Sequence, residues 1–244
     1  MNNKIPKTII QTMTVGNLPT RMREACDTWK NKNSHYNYLF FDGDDRIQYL
    51  KENWGEDVLA AYFLLKHNAF KSDLFRYCYL YQYGGVYVDI DHKCKSSIDD
   101  IIDDNDDIVA GIRGPWINQS IIITIKHSPI LLDCIQSGIT RIIQDKPFVG
   151  GWFKDSVGFL GPPALSASWI KFHNSLVNDN NIDIYLNDTY NKKNKIPSGK
   201  YKKYSLQFNV YANCLTNILC PTGLAYKDYK KDLESMGLTY WRDK

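Results

Sequence analysis

Short apolar runs and helical stripes alternate along the first third of this 244-residue chain. Residues 7–12 (KTIIQT) and 36–41 (YNYLFF) have the length and apolar content of buried strands. Between them, Leu18, Met22, Ala25, Cys26 and Trp29 recur every three or four positions, which predicts an amphipathic helix over residues 18–31. After the turn-like Asp42-Gly43-Asp44-Asp45, helical spacing returns over 44–53 and 56–68. The order β-α-β-α predicts a mostly parallel sheet flanked by helices, with residues 7–12 as its first, central strand.

The pattern then changes character. Leu74, Phe75, Tyr77, Cys78, Leu80 and Tyr81 are apolar on nearly every side, so residues 72–83 read as a buried helix. Ser72 is suited to cap it, with Asp73 in its first turn where the helix dipole favours a carboxylate. Gly84 and Gly85 stop it. Residues 86–90 (VYVDI) read as a strand, and period-two alternation would set Asp89 and Asp91 on one side of it.

Further on, residues 108–112 and 121–125 read as strands, and Ser128-Pro129 opens a helix to about residue 143 with proline in its first position. Residues 146–163 are rich in Gly, Pro and aromatics and read as an ordered loop. There Trp152 suits either a closing lid over a base or sugar, or core packing. Residues 164–173 look helical, and beyond 174 the chain turns polar, with lysines clustered from Lys192 to Lys203 as a solvated face. The acidic run at 99–107 reads as a solvated loop rather than a calcium loop. No repeat or long linker divides the chain, so one domain is expected, with a first half over 1–125 and a second over 126–244.

Composition narrows the function classes. A net charge of +3 is too small to imply nucleic acid or a membrane surface as partner. No apolar run approaches the length of a membrane span, and the first ten residues lack the apolar core of a signal peptide. The six cysteines (26, 78, 94, 134, 214 and 220) form no CxxC pair and read as reduced thiols, which with the missing leader points to the cytoplasm. Seventeen tyrosines suit a cleft for polyols and rings, although an AT-rich coding sequence would raise the same count.

The chemistry gathers in residues 71–91. Asp89 and Asp91 are the metal candidates: two adjacent carboxylates repel unless a cation neutralises them, and Mn²⁺ or Mg²⁺ prefers carboxylate and phosphate oxygens. Asp73 and Arg76, three apart on a helix, can project toward one point, where an arginine fork suits phosphate or sugar hydroxyls. Gly85 allows close backbone approach. Together these give a metal-diphosphate site. A zinc site from Asp89, Asp91, His92 and Cys94 would crowd its ligands on one strand.

The block SDLxRYxxLYxxGGVYxDxD resembles the signature of the DXD-containing sugar transferases, a family with fungal initiating α-1,6-mannosyltransferases, bacterial capsular polysaccharide transferases and, distantly, the clostridial glucosylating toxins. The opening IPKTIIQT, Asn118 with the later His127-Ser128-Pro129, and Gly161-Pro162 resemble further family segments, so the likeness runs over about residues 4–170. The resemblance implies a GT-A fold (Rossmann-like), a nucleotide-sugar donor (UDP- or GDP-sugar), a bridging Mn²⁺ and retention of anomeric configuration. It implies that Asp73 and Arg76 meet the donor sugar and diphosphate, that Tyr87 lies near the nucleotide, that Asp89 faces ribose and metal, that Asp91 ligates the metal, and that Asn118 lies near the sugar. Two departures stand out: Ile10 replaces a family histidine, and the end of the chain has Trp241 but no histidine, leaving Tyr226, Lys227 or Lys230 as substitutes.

The expected function is thus a retaining, metal-dependent glycosyltransferase moving a hexose to a hydroxyl acceptor (a glycan, lipid or protein), with Asp89, Asp91 and Arg76 as its catalytic residues. A non-catalytic nucleotide-sugar or glycan-binding module and a DxD nucleotidyltransferase remain as alternatives.

Overall fold

The computed structural model describes residues 5–104, 106–113, 116–146, 157–177, 199–201, 206–211 and 228–239. The elements are β1 (Thr8–Thr12), α1 (Thr20–Lys32), β2 (Asn37–Phe41), α2 (Gly43–Asn53), α3 (Glu56–Leu64), α4 (Asn68–Tyr83) and β3 (Gly85–Val88), then β4 (Ile108–Arg113), β5 (Trp116–Thr124), α5 (Pro129–Ile143), α6 (Val157–Leu160) and α7 (Pro162–Val177), and finally β6 (Gly199–Tyr201), β7 (Leu206–Tyr211) and α8 (Tyr229–Ser235). The strands form one sheet in the order β2-β1-β3-β5-β4-β7-β6. Its first half, β2-β1-β3, is parallel, as the β-α-β-α pattern predicts. β5 then enters antiparallel to both β3 and β4, while β4 and β7 run parallel. β1 is an interior strand of the parallel half, and β5 holds the middle of the sheet.

Both faces of the sheet are covered, so its strands are apolar in both phases of the pleat. Ile10, Tyr87, Ala110 and Ile122 meet a large core built on α2, α3, α4, α5 and α7. Their neighbours Ile9, Val86, Val88, Val109, Ile121 and Ile123 face the other way, onto Trp29 of α1 and the short turn bearing Ile98 and Ile101. Met22, Ala25, Cys26 and Trp29 are the buried stripe of α1 that its spacing predicts. α5 begins at Pro129 and ends at Ile143 as read from the sequence.

Three expectations are corrected. α4 starts four residues before Ser72, at Asn68, with His67 in the capping position and no side-chain cap. Ser72 lies inside the helix, donates its hydroxyl to Asn68 O (3.0 Å) and accepts from Arg46 Nη1 (2.6 Å). Asp73 therefore lies in the second turn, beyond the reach of the N-terminal dipole. β3 stops at Val88, so Asp89 and Asp91 do not share a strand face. They sit instead in a turn closed by His92 N and Asp89 O (3.2 Å). β5 extends back to Trp116, which carries Asn118, Gln119 and Ser120 into the sheet.

The two glycines after α4 are sterically required. Gly84 has φ +68 and a Cβ there would lie 2.6 Å from Lys126 N, while Gly85 has φ +104 and a Cβ would meet Thr8 O at 2.7 Å. Only glycine accommodates both the left-handed backbone and this contact with β1. The acidic run is only partly solvated: Asp106 and Asp107 are buried, and Asp99 meets Lys7, His35 and Tyr36. Cys26, Cys78, Cys94 and Cys134 are buried free thiols. Among the described residues no helix is long and apolar enough to cross a membrane. Trp152, Tyr226, Lys227 and Trp241 lie outside the described residues.

Candidate active site

Three elements converge where β3 ends. α4 supplies Asp73, Arg76 and Tyr77, β3 supplies Tyr87 and the turn Asp89-Ile90-Asp91-His92, and β5 supplies Asn118, Gln119 and Ser120. Arg76 is the hub. Its side chain is 5% exposed, with Nη2 2.9 Å from Asp73 Oδ1 and Nη1 3.1 Å from Asp89 Oδ1. Nη1 also donates to Gln119 O (2.8 Å) and Nε to Ser72 O (3.3 Å). A buried guanidinium is stable only when its donors are engaged, and here all three nitrogens are. Tyr87 lies under it and donates its hydroxyl to Asp89 Oδ1 (2.8 Å).

Gln119 locks the other side. Its Nε2 donates to Asp73 Oδ1 (2.9 Å), while Oε1 accepts the Tyr77 hydroxyl (2.5 Å), so the carboxamide has one orientation. The backbone of this stretch also serves the site. β4 pairs regularly with β5 through Ala110 and Ile122, then resumes at Gly111 opposite Asn118, which leaves residues 119–121 without partners on β4. On the other side, the β3 ladder ends with Val88 opposite Ile121. The bulge frees two carbonyls from the sheet. Gln119 O takes Arg76, and Ser120 O takes Asp89 N (2.8 Å). Asn118, one of the sequence candidates, is buried and turns its Oδ1 onto Ser120 N (2.9 Å), holding the bulge in shape.

Burial and charge set the protonation of the site. Burial pushes Asp73 up to about 7, with Asp89 adding repulsion and Arg76 and Gln119 opposing. Burial alone would lower Arg76, but Asp89, Tyr87 and Asp73 outweigh it and hold the guanidinium charged. Asp91 is raised, chiefly by burial and further by Asp89, against the pull of His92.

The carboxylates of the DxD turn are used unequally. Asp89 spends Oδ1 on Arg76 and Tyr87, and Asp91 spends Oδ1 on His92 Nδ1 (2.5 Å). Among the described residues both carboxylates make their side-chain contacts through Oδ1, which leaves Oδ2 of each unclaimed by another side chain. The described residues hold no cluster of three or more His, Cys, Asp or Glu able to bind a metal alone. Two carboxylate oxygens with room for phosphate oxygens match how Mn²⁺ and Mg²⁺ bind beside a diphosphate, so the residues fit such an ion. Zinc does not fit: His92 spends both ring nitrogens on Asp91 and Ser120, and Cys94 turns to Asn33 and Ser96.

The structure thus brings Asp73, Arg76, Tyr87, Asp89 and Asp91 together, with Asn118 behind them. Gly85 lies at the far end of β3, where its close contact is with β1 rather than with a ligand. Lys230 lies exposed on α8. Sequence reasoning missed Gln119, Ser120 and Ile90, and weighed His92 only as a zinc ligand. Ile90 is buried in one apolar cluster with Met13, Leu18, Met22, Cys26 and Leu233, a cluster that joins the turn to α8. α8 is tied to α1 by Arg21, which pairs with Asp228 (3.0 Å) and Asp232.

Residues 19–107 match the family described as a glycosyltransferase sugar-binding region containing a DXD motif. A mannosyl phosphorylinositol ceramide synthase of Saccharomyces cerevisiae is 29% identical over 100 residues, 40% of this chain and 25% of that protein. An initiation-specific alpha-1,6-mannosyltransferase of Candida albicans is 31% identical over 110 residues, 43% of this chain and 29% of that protein. The chain spans less than half the length of these relatives. Among solved structures, the PaToxG glycosyltransferase superposes with a TM-score of 0.55 at 16% identity, over 76% of each chain, and shares the GT-A fold.

Proposed function

We propose that this chain, whose residues 19–107 match the DXD-containing glycosyltransferase sugar-binding region, transfers a hexose from a nucleotide diphosphate sugar to a hydroxyl acceptor. The observation that carries this reading is the buried Arg76 pinned between Asp73 and Asp89, beside two carboxylates that each keep Oδ2 available. A fixed positive charge next to an acidic pair suited to a cation complements a diphosphate. Mannose is the first sugar to test, because the two curated relatives are named for mannosyl transfer.

In this reading Asp89 and Asp91 would hold Mn²⁺ or Mg²⁺. When bound, the ion would supply Lewis-acid neutralisation of the charge that develops on the departing nucleoside diphosphate. Arg76 adds a second, immobile positive charge, and Asp73 and Gln119 fix its direction before the donor arrives, so no reorganisation is needed as the bond breaks. Tyr87 orients Asp89. Asp73 faces the sugar side through the oxygen not given to Arg76. The acceptor hydroxyl attacks the anomeric carbon from the face the leaving group occupied and passes its proton to the departing diphosphate oxygen as that C–O bond breaks, giving retention. No carboxylate is assigned as a covalent nucleophile.

A screen of UDP- and GDP-sugars with Mn²⁺, scoring both hydrolysis and transfer, tests the reading. Release of nucleoside diphosphate that disappears in Asp91→Ala is expected. Release of pyrophosphate instead, or turnover unchanged in Asp91→Ala, would overturn it.

A further inference from the structure

His92 follows the DxD pair directly, yet it is buried and turned into the protein, with a side chain 1% exposed against 17% for Asp91. Its backbone is held at two points: N–H donates to Asp89 O (3.2 Å), and its carbonyl accepts from Trp29 Nε1 (2.8 Å). The ring is held at two more, by Asp91 Oδ1 at Nδ1 (2.5 Å) and Ser120 Oγ at Nε2 (3.2 Å). Ser120 is itself fixed, with its N–H on Asn118 Oδ1 and its carbonyl on Asp89 N. One serine of the β5 bulge therefore reaches both halves of the acidic pair, Asp89 through the backbone and Asp91 through the imidazole.

We infer that His92, oriented by Ser120, is the positioning residue that aims Asp91 Oδ2 at the cation; the inference rests on the metal site proposed above. A carboxylate accepts only, so Nδ1 carries the hydrogen that binds Asp91 Oδ1, and Nε2 is left facing the Ser120 hydroxyl. This fixes the ring and, through it, the rotation of the carboxylate about its Cβ–Cγ bond. Outer partners of this kind orient a metal ligand and keep it basic, and their loss costs roughly 10–100-fold in metal affinity. His92 acts through Asp91, since neither ring nitrogen is spare.

The test is Mn²⁺ binding by the full chain with UDP or GDP present, followed by the paramagnetic resonance signal of free Mn²⁺, with thermal unfolding recorded alongside. His92→Ala is expected to bind Mn²⁺ about tenfold or more weakly. His92→Asn, whose amide nitrogen sits where Nδ1 does, is expected to recover most of that loss. Ser120→Ala, which preserves the backbone contact to Asp89, leaves Nε2 unanchored so that the ring can tilt, and is expected to fall between wild type and His92→Ala. Equal Mn²⁺ affinity in wild type and His92→Ala would overturn the positioning role, as would equal losses in the Ala and Asn variants at matched stability. If His92→Ala does not fold, unchanged Mn²⁺ affinity in Ser120→Ala is the overturning result. A wild-type chain that retains no Mn²⁺ with either nucleotide would sink the metal site itself, a failure distinct from the other two.

Discussion

The guanidinium carbon of Arg76 lies 4.1 Å from the centre of the Tyr87 ring, and both side chains end on Asp89 Oδ1. The stack and the shared acceptor make three residues from a helix and a strand one rigid unit. Tyr87→Phe keeps the stack and removes one donor. A lost hydrogen bond to a charged acceptor is worth about 1.5–3 kcal/mol, so the thermal midpoint should fall by several degrees and donor turnover by roughly tenfold or more. An unaltered kcat/KM would show that Asp89 needs no help from Tyr87.

Arg76→Ala should act on stability first. It strands the Asp73 carboxylate, 7% exposed, with only the Gln119 amide beside it. Breaking a buried pair by removing one partner costs about 3–5 kcal/mol. Neutralising the survivor in the double variant Asp73→Asn/Arg76→Ala should recover part of that loss. Urea unfolding of the wild type, both single variants and the double variant reads the coupling, and simple additivity would refute it.

The raised Asp73 carboxyl has a signature in pH. Its value is about 7 in the folded chain, against 3.8 for the ordinary group. Between those values the native protein holds a proton that the unfolded chain has released, so this group's contribution to stability falls as pH rises through the window and is level above it. At about 1.4 kcal/mol per unit, the effect is at most about 4 kcal/mol. Asp73→Asn should flatten the slope. Wild type and variant compared in urea at pH 5 and pH 8 decide the matter: the variant should gain on the wild type at the higher pH, and a constant difference would count against it.

Gly85→Ala should cost about 1–3 kcal/mol, the scale of forcing a non-glycine residue into such backbone, plus the clash with Thr8 O. Because this residue abuts β1 rather than the carboxylates, the fraction that folds should bind Mn²⁺ with UDP as the wild type does. Weakened binding in folded protein would place Gly85 in the donor site after all.

Much of this was legible in local pattern, and the failures share one cause. The stripe Met22, Ala25, Cys26, Trp29 and the proline-led helix from Pro129 were read correctly because burial and a first-turn proline are short-range signals. The residues of the block from Asp73 to Asp89 likewise converge in space, around Arg76. The strand through residue 90 was overextended because VYVDID keeps alternating after its ladder has ended, and the end is set by the bulge at residues 119–121 of β5. Ser72 looked like a cap from its type alone, but its hydroxyl is claimed by Asn68 and Arg46 inside the helix. Gln119, Ser120 and Ile90 carried no local mark, since their importance comes from partners far away in the chain.

α8 gives a final test from outside the acidic block. Leu233 and Ile90 share one apolar cluster, so Leu233→Ala should cost about 2–5 kcal/mol and loosen the turn as well. Mn²⁺ affinity with UDP should then drop alongside stability. A variant that is merely less stable, with metal affinity intact, would make α8 a passive cover.

The bulge in β5 has one further consequence. Two of its contributions, the carbonyls that receive Arg76 and Asp89, belong to the backbone and are present whatever side chains stand at 119 and 120. Point substitutions can drift through this stretch without removing them, whereas deleting a single residue would slide the strand and withdraw both at once. The anchor is written in the spacing of the chain more than in its spelling, and tolerance of substitution paired with intolerance of length change is the mark it should leave in a mutational scan.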